Sequence, residues 1–127
     1  MRIFKNAWFD KFARRAQITD GMLVDAIKRA ELGLIDADLG GGLIKQRLAR
    51  SGRGKSGGYR TLLFFRSGKR AVFVFGFAKN DRENISAEEE AALKKAAKLV
   101  LGLPDDAMTR EVQSGRMKEV TGNEQRL

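Results

Sequence analysis

The sequence predicts a small α+β domain in which helices pack on an antiparallel sheet. Apolar residues recur with helical spacing in residues 6–33 and again in residues 87–103. Between them, residues 43–77 contain short runs of β-branched and aromatic residues separated by glycine-bearing turns. The chain has 127 residues, the size of one domain with a single core. We therefore expect one domain over residues 1–103 and a tail over residues 104–127 that forms a short helix or is disordered.

The N-terminal part is predicted to form a short strand and two helices. Residues 2–5 are typical of a strand. The spacing then becomes helical, with an apolar side formed by Trp8, Phe9, Phe12 and Ala16 and a polar side formed by Asp10, Lys11, Arg14 and Arg15. We expect the three aromatic residues of this helix in the core. Thr19 or Asp20 can cap a second helix, and Gly33 is a suitable residue to end it.

Three strands and one more helix are predicted to follow. We expect the strands at residues 43–49, 59–66 and 70–77. The last of them contains AVFVFGF, which is apolar on both faces and therefore indicates a buried central strand. Ser86 and Glu89 have the spacing of a capping box for the next helix, which Gly102 and Pro104 would end.

The positive charge of the chain is concentrated in one block. The formal net charge is +9. Residues 43–80 contain no Asp or Glu but ten basic residues. These are Lys45, Arg47, Arg50, Arg53, Lys55, Arg60, Arg66, Lys69, Arg70 and Lys79. The rest of the chain has fifteen basic and sixteen acidic residues. Such a block repels itself unless a polyanion binds it, and clustered Lys and Arg gain affinity for nucleic acid by releasing phosphate counterions. RNA or DNA is therefore the expected partner. A membrane surface is disfavoured, since the block does not follow one face of a helix.

The composition excludes several classes of site. The chain contains no Cys and no His, so it has no thiol nucleophile and lacks the usual ligands of structural zinc. We expect neither a metal nor an organic cofactor. The N-terminus lacks the long apolar run of a signal peptide or a membrane span, which favours a cytoplasmic location.

The segment GRGKSGG is similar to a nucleotide-binding loop but lacks its context. A Rossmann fingerprint lies between a strand and a helix, whereas this segment precedes the predicted strand YRTLLFF. A Walker A loop would need a glycine where the chain has Ala49. A long hairpin loop accounts for most of the glycines but not for Arg50, Arg53 and Lys55. We expect this basic loop to contact nucleic-acid phosphates.

One reaction is open to a site built from Lys and Arg alone. An RNA 2′-hydroxyl can attack the adjacent phosphorus if cations align the chain and neutralise the transition state, and a lysine among other cations can act as general base. Lys45 and Arg47 are two residues apart on a predicted strand and so share a face, and Arg60 begins the next strand. The alternatives are a solvated edge strand for the first two and a cross-strand salt bridge for Arg60.

Three further residues are candidates for RNA binding. Lys79 and Arg82 are expected at the end of the central strand, in the loop FAKNDREN, where Asp81 and Glu83 can pair with them. Tyr59 fits equally well a core position and a ring on which an RNA base stacks.

Two segments of the chain, GKSGGYR and FVFGFAKNDREN, are typical of a known family. Together with the order of the elements over residues 1–103, they resemble the RelE toxins of bacterial type II toxin–antitoxin systems, in particular a HigB-like subgroup. The resemblance implies a small RelE/ParE-like fold, with two N-terminal helices and a C-terminal helix on a short antiparallel-rich sheet. It also implies a basic, metal-independent endoribonuclease (an mRNA interferase) that cuts mRNA, commonly in the ribosomal A site, and so inhibits translation. The expected partner is a cognate antitoxin, in this subgroup often a helix-turn-helix protein, and the free toxin would be a monomer.

The resemblance also assigns roles to individual residues. Lys45 and Arg47 match the strand cations near the scissile phosphate, which makes Lys45 the candidate general base and Arg47 a stabiliser of the transition state. Arg60 matches the arginine of GYR, which contacts the phosphate and stabilises the same state. The residues expected to bind RNA are Arg53, Lys55, Tyr59, Lys79 and Arg82.

The chain departs from the family pattern at two positions. Asn80 stands where the loop often has a catalytic arginine, and Ser86 stands where the last helix often has a tyrosine that stacks on the base. The general acid and the stacking residue are therefore unassigned. Two alternatives stay open: a ParE-like toxin that inhibits DNA gyrase without cleaving RNA, and a basic nucleic-acid-binding module without toxicity.

Overall fold

A computed structural model describes residues 1–49 and 58–121 of the chain. These residues form four helices and six strands. The strands are β1 (Arg2–Asn6), β2 (Ala37–Gly40), β3 (Leu43–Leu48), β4 (Tyr59–Arg66), β5 (Arg70–Ala78) and β6 (Met117–Val120). The helices are α1 (Ala7–Ala16), α2 (Asp20–Glu31), α3 (Ala87–Leu101) and α4 (Asp105–Gln113).

All six strands belong to one mixed sheet with the order β2-β3-β4-β5-β1-β6. The β1–β5 pair is parallel and the other neighbouring pairs are antiparallel. The predicted α+β class is therefore confirmed, with a sheet that is antiparallel in all but one pair. β2 and β6 were not predicted, because each has only four residues and too short a pattern to stand out.

The helices cover both faces of the sheet. α1 and α2 pack on one face through residues such as Phe9, Leu23 and Ile27, which contact Ile44 and Phe73 of the sheet in one buried cluster. α3 and α4 pack on the opposite face, which we call the α3 face, in a second buried cluster. That cluster includes Leu43, Leu62, Phe64 and Val72 from the strands and Ala97, Leu101 and Met108 from the helices. β5 lies between β4 and β1 and is buried on both faces, as its apolar sequence predicts.

Local capping signals in the sequence determine where the helices begin. The Thr19 hydroxyl accepts a hydrogen bond from the Met22 N–H, so it caps α2. The predicted capping box at α3 is present, with the Glu89 N–H donating to Ser86 Oγ at 3.1 Å and the Ser86 N–H donating to Glu89 Oε1 at 2.7 Å. Gly102 follows the last turn of α3 as predicted.

Residues 104–120 are part of the folded domain, which corrects the prediction of a tail after residue 103. The short helix considered for this region is present as α4, and Met108 on it is fully buried in the core of the α3 face. β6 then pairs with β1, where Val120 lies opposite Ile3. Residues 122–127 lie outside the described part of the chain.

Two predictions about α1 are wrong. Trp8, in the first turn of the helix, was expected in the core but is 46% exposed, although its ring stacks on Phe75 of β5 with ring centroids 4.6 Å apart. Asp10 was expected on the solvent side but is only 4% exposed. Its burial is explained by the cations that surround it.

Asp10 is the centre of a charge cluster that ties α1 to the sheet and to α2. Lys5 Nζ lies 3.2 Å from one Asp10 carboxylate oxygen and 3.1 Å from Asp20, and Lys118 Nζ lies 3.1 Å from the other Asp10 oxygen. Arg14, one turn later, also binds it. Burial alone would raise the pKa of Asp10, but the hydrogen bonds from Lys118 and Lys5 outweigh this effect and lower the pKa.

We expect Asp10→Asn to destabilise the protein by about 2 to 4 kcal/mol, because it leaves the nearly buried Lys5 ammonium with one carboxylate instead of two. Urea unfolding monitored by circular dichroism measures the loss. Asp25→Asn, on the exposed side of α2, is the matched control and should change the free energy of unfolding by less than about 0.5 kcal/mol. Equal effects of the two variants would contradict this account of the cluster.

Candidate functional site

The sheet brings three of the predicted site residues onto the α3 face. Arg47 of β3 lies directly opposite Arg60 of β4, and Lys45 lies opposite Leu62. Directly opposed residues of an antiparallel pair project from the same face, with Cβ atoms about 5 Å apart. Leu62 belongs to the buried cluster of the α3 face, so Lys45, Arg47 and Arg60 project from that face as well. We call these three residues the cation triad.

A buried glutamine determines which face the triad occupies. Gln46 lies between Lys45 and Arg47 and is fully buried on the opposite face of β3. Its amide nitrogen donates to the carbonyls of Ala26 at 3.0 Å and Leu34 at 3.2 Å, and its amide oxygen accepts from the Asp36 N–H at 2.8 Å. A shift of β3 by one residue would break all three bonds and turn the cations to the wrong face.

Among the described residues, the side chains of Arg47 and Arg60 have no acidic partner. The backbone of Arg47 is held on both sides, since its N–H donates to Asp36 Oδ2 at 2.6 Å and its carbonyl accepts from Arg29 at 2.9 Å. Within residues 1–49 and 58–121, neither guanidinium forms a salt bridge, so the cross-strand salt bridge considered for Arg60 is not found there. Two cations opposed in this way repel each other, and an anion between them would remove the repulsion.

Lys45 is the most restrained member of the triad. It is half-buried, and its Nζ donates to Asn84 Oδ1 at 3.0 Å. Asn84 lies two residues before the N-cap of α3, so the amine of Lys45 is held near the beginning of that helix. The sequence gives no sign of this contact, because 39 positions separate the two residues.

A cleft of about 680 Å³ lies between α2, along its length from Met22 to Arg29, and the adjoining ends of β3 and β4. Arg47 and Arg60 of the triad line this cleft, whereas Lys45 does not. The cleft lining includes Arg29, Arg47, Arg60, Asp25, Asp36 and Tyr59. Arg29 was not among the predicted site residues. Helical spacing can predict that it lies on the polar side of α2, but its contact with β3 depends on the tertiary fold.

Tyr59 occupies a core position at the edge of this cleft. It is 7% exposed, and its ring packs edge-to-face on Phe12 with centroids 5.7 Å apart. The structure thus matches the first of the two interpretations that the sequence allowed for Tyr59, although part of the residue lines the cleft.

The guanidinium of Arg82 is bound by neighbouring residues of the protein. It binds Glu89 through both terminal nitrogens and lies over the rings of Phe75 and Phe77, 5.9 and 5.5 Å from their centroids. Its Nε donates to the Asn84 carbonyl at 2.9 Å. The expected pairing of Arg82 with Asp81 or Glu83 is therefore wrong. A contact seven residues away, on the first turn of α3, takes its place.

The remaining predicted RNA-binding residues lie near the ends of the strands. Lys79 is exposed, and its N–H donates to the Gly58 carbonyl at 3.2 Å, which places it beside the beginning of β4. Arg53 and Lys55 lie outside the described residues. The residues next to that segment on either side, Ala49 and Gly58, both line the cleft.

In the described part of the chain, no group of three or more Asp, Glu, His or Cys side chains is arranged to hold a metal ion. None of the described helices has the length and apolar character needed to cross a bilayer.

Comparison with known protein families finds a match over most of the chain. A family model described as "RelE toxin of RelE / RelB toxin-antitoxin system" matches residues 1–120. No curated protein matches the chain. The matched region ends at the last residue of β6, so it includes α4 and β6 as well as the strands that carry the triad.

The Arg82–Glu89 pair gives a prediction for acid stability. The hydrogen bond from Arg82, helped by the backbone of Ser86, lowers the pKa of Glu89 from 4.5 to about 2. The folded state thus favours the ionised carboxylate, and the stability this contributes is present above pH 4.5 and is lost as the pH falls towards 2. Glu89→Gln, which can still complete the capping box, should lose less stability than the wild type over this range.

The measurement is urea unfolding at several pH values between 2 and 5 for the wild type, Glu89→Gln and the control Glu88→Gln. Glu88 is an exposed acid on the same turn. The control should follow the wild type. A Glu89→Gln curve parallel to that of the wild type would show that the pair does not stabilise the folded state.

Proposed function

The chain belongs to the RelE toxin family, since the match covers residues 1–120, and we propose that it is an endoribonuclease that cleaves mRNA on the ribosome. We also propose that a cognate antitoxin binds and neutralises it. We further propose that the antitoxin is a helix-turn-helix protein, as in the HigB-like subgroup, and that the free toxin is a cytoplasmic monomer. The reaction would use cationic side chains without a metal.

The observation that carries the proposal is the cation triad beside the cleft. Lys45, Arg47 and Arg60 project from one face, and two of them line a space of about 680 Å³. That space can accommodate a nucleotide, because small-ligand sites typically have volumes of about 300–1,000 Å³. Paired guanidinium groups suit the oxygens of a phosphodiester.

The chemistry follows from the positions of the three cations. Lys45 acts as the general base and takes the proton from the ribose 2′-hydroxyl, whose oxygen then forms a bond to the adjacent phosphorus. Arg47 and Arg60 stabilise the negative charge that accumulates on the nonbridging oxygens in the pentacovalent transition state. The bond from phosphorus to the 5′-oxygen then breaks, and that oxygen takes up a proton from water. The products are a 2′,3′-cyclic phosphate and a 5′-hydroxyl, and DNA is not a substrate because it lacks the nucleophile.

Other cations would hold the RNA on either side of the scissile phosphate. Lys79 follows β5 and lies beside the beginning of β4, and Arg29 of α2 contacts the Arg47 carbonyl, so we assign neighbouring phosphates to these two residues. Arg53 and Lys55 would bind phosphates from the segment between β3 and β4. For Arg82 we propose an indirect role, since Glu89 occupies its guanidinium: it holds the segment that carries Lys79.

Expression in a bacterial host tests the proposed function against its rivals. Induction of the wild type should stop growth, and primer extension on cellular mRNA should detect new 5′ ends in phase with codons. DNA gyrase should retain its supercoiling activity in the presence of the purified protein. Growth arrest with intact mRNA and inhibited gyrase would contradict the proposal in favour of a ParE-like toxin. The absence of growth arrest would instead support a non-toxic nucleic-acid-binding module.

We expect Arg60→Ala to abolish growth arrest and to lower RNA cleavage at least about 100-fold, because it removes a donor to the transition-state charge. The variant should remain folded by circular dichroism and should still bind the antitoxin. The control is Arg110→Ala, which removes an exposed arginine on α4, away from the triad, and should remain fully toxic. A toxic Arg60→Ala would show that the site is wrongly assigned.

A further inference from the structure

The side-chain oxygen of Asn84 joins the cation triad to the beginning of α3. It accepts one hydrogen bond from Lys45 Nζ at 3.0 Å and another from the Ile85 N–H at 2.9 Å. An amide oxygen has two lone pairs, and both are used here. The amine of Lys45 and the backbone before α3 are therefore fixed to the same atom.

Asn84 is in turn held by the residues around it. Its own carbonyl accepts from Arg82 Nε, and Arg82 binds Glu89 on the first turn of α3. Glu89 also accepts from the Ser86 N–H in the capping box. The position of Asn84 relative to the helix is thus fixed by three successive contacts, although its side chain is exposed to solvent.

A general base on a lysine side chain needs such a restraint. The lysine side chain has a flexible four-carbon stem, and fixing it in one rotamer costs about 2 kcal/mol of entropy. An unrestrained amine therefore samples many positions. A neutral amine has two N–H donors and one lone pair. If one N–H donates to Asn84, the direction of the lone pair is restricted, and it can point towards a 2′-hydroxyl.

The chemical type of the partner is also suited to a base. A carboxylate beside Lys45 would stabilise the protonated ammonium and so reduce the fraction of the base form. An amide oxygen accepts the same hydrogen bond without a negative charge. In the described part of the chain, the elements around Lys45 also carry Arg47 and Arg60 on the sheet, Asp36 and Asp38 on the β2 side, and the Arg82–Glu89 pair on the α3 side.

We propose that Asn84 is a positioning residue that holds the Lys45 amine for proton abstraction, an inference that rests on the proposed ribonuclease function. A purely structural alternative exists, in which Asn84 matters only because it satisfies the Ile85 N–H before α3. The two roles differ in what they predict for the pH dependence of cleavage.

The test uses purified Asn84→Ala and Asn84→Asp with a synthetic mRNA, both free and bound to purified ribosomes. Asn84→Ala should cleave about three- to tenfold more slowly than the wild type, the loss expected for one hydrogen bond. Asn84→Asp keeps an acceptor for both donors but adds a charge. Its pH–rate profile should therefore move to higher pH. The expected shift is only about half to one pH unit, because solvent screens a carboxylate at this exposed position.

Gln113→Glu is the control, because it adds the same charge to an exposed amide side chain on α4, away from the triad, that makes none of the described side-chain hydrogen bonds. Its pH–rate midpoint should stay with that of the wild type. Thermal unfolding of every variant shows that the compared proteins are folded, so a change in the pH profile is not a change in stability.

Each outcome separates the inference from the function on which it rests. If the wild type cleaves RNA and the midpoint of Asn84→Asp is unchanged, or moves equally in Gln113→Glu, the positioning role is wrong and the ribonuclease stands. If Asn84→Ala cleaves as fast as the wild type, the positioning role is also wrong. If the wild type cleaves no RNA in either form, the proposed function fails and the inference fails with it.

Discussion

The buried amide of Gln46 is the contact on which the site depends. It lies between two cations of the same strand, and its three hydrogen bonds to α2 and the segment before β2 fix the register of β3. Because strand side chains alternate, fixing Gln46 inward places Lys45 and Arg47 together on the other face. The Thr61 hydroxyl adds a bond to the Gln46 carbonyl at 2.8 Å, which extends the same constraint to β4 and so to Arg60.

The apolar clusters on the two faces explain why the sheet tolerates a charged site. Opposed arginines destabilise an antiparallel ladder. That cost is offset by the buried aliphatic and aromatic residues farther along the same strands, such as Leu43 opposite Phe64. The site is thus at the ends of β3 and β4, next to well-packed parts of the same strands. Rigid strands hold the cations in place, and the segment between β5 and α3 adds the contacts to Lys45 and Glu89.

The sequence predicted the features that depend on local patterns. The capping box at Ser86, the central strand and the shared face of Lys45 and Arg47 all follow from spacings of two to four residues. Contacts between distant segments were not predictable in this way. The burial of Asp10 depends on Lys118, and the restraint on Lys45 depends on Asn84. Both contacts join residues that are far apart in the sequence and meet only in the folded chain.

The most direct test of the account is the salt dependence of RNA binding. A 2′-O-methylated RNA cannot be cleaved, so its affinity for the wild type and for a variant with Arg47→Ala and Arg60→Ala can be measured from low to high salt. If these arginines bind phosphates, the double variant binds more weakly. The slope of log K against log salt concentration should also become shallower by about 1.4, since each contact to single-stranded nucleic acid contributes about 0.7. An unchanged slope would contradict the claim that the triad holds the RNA backbone.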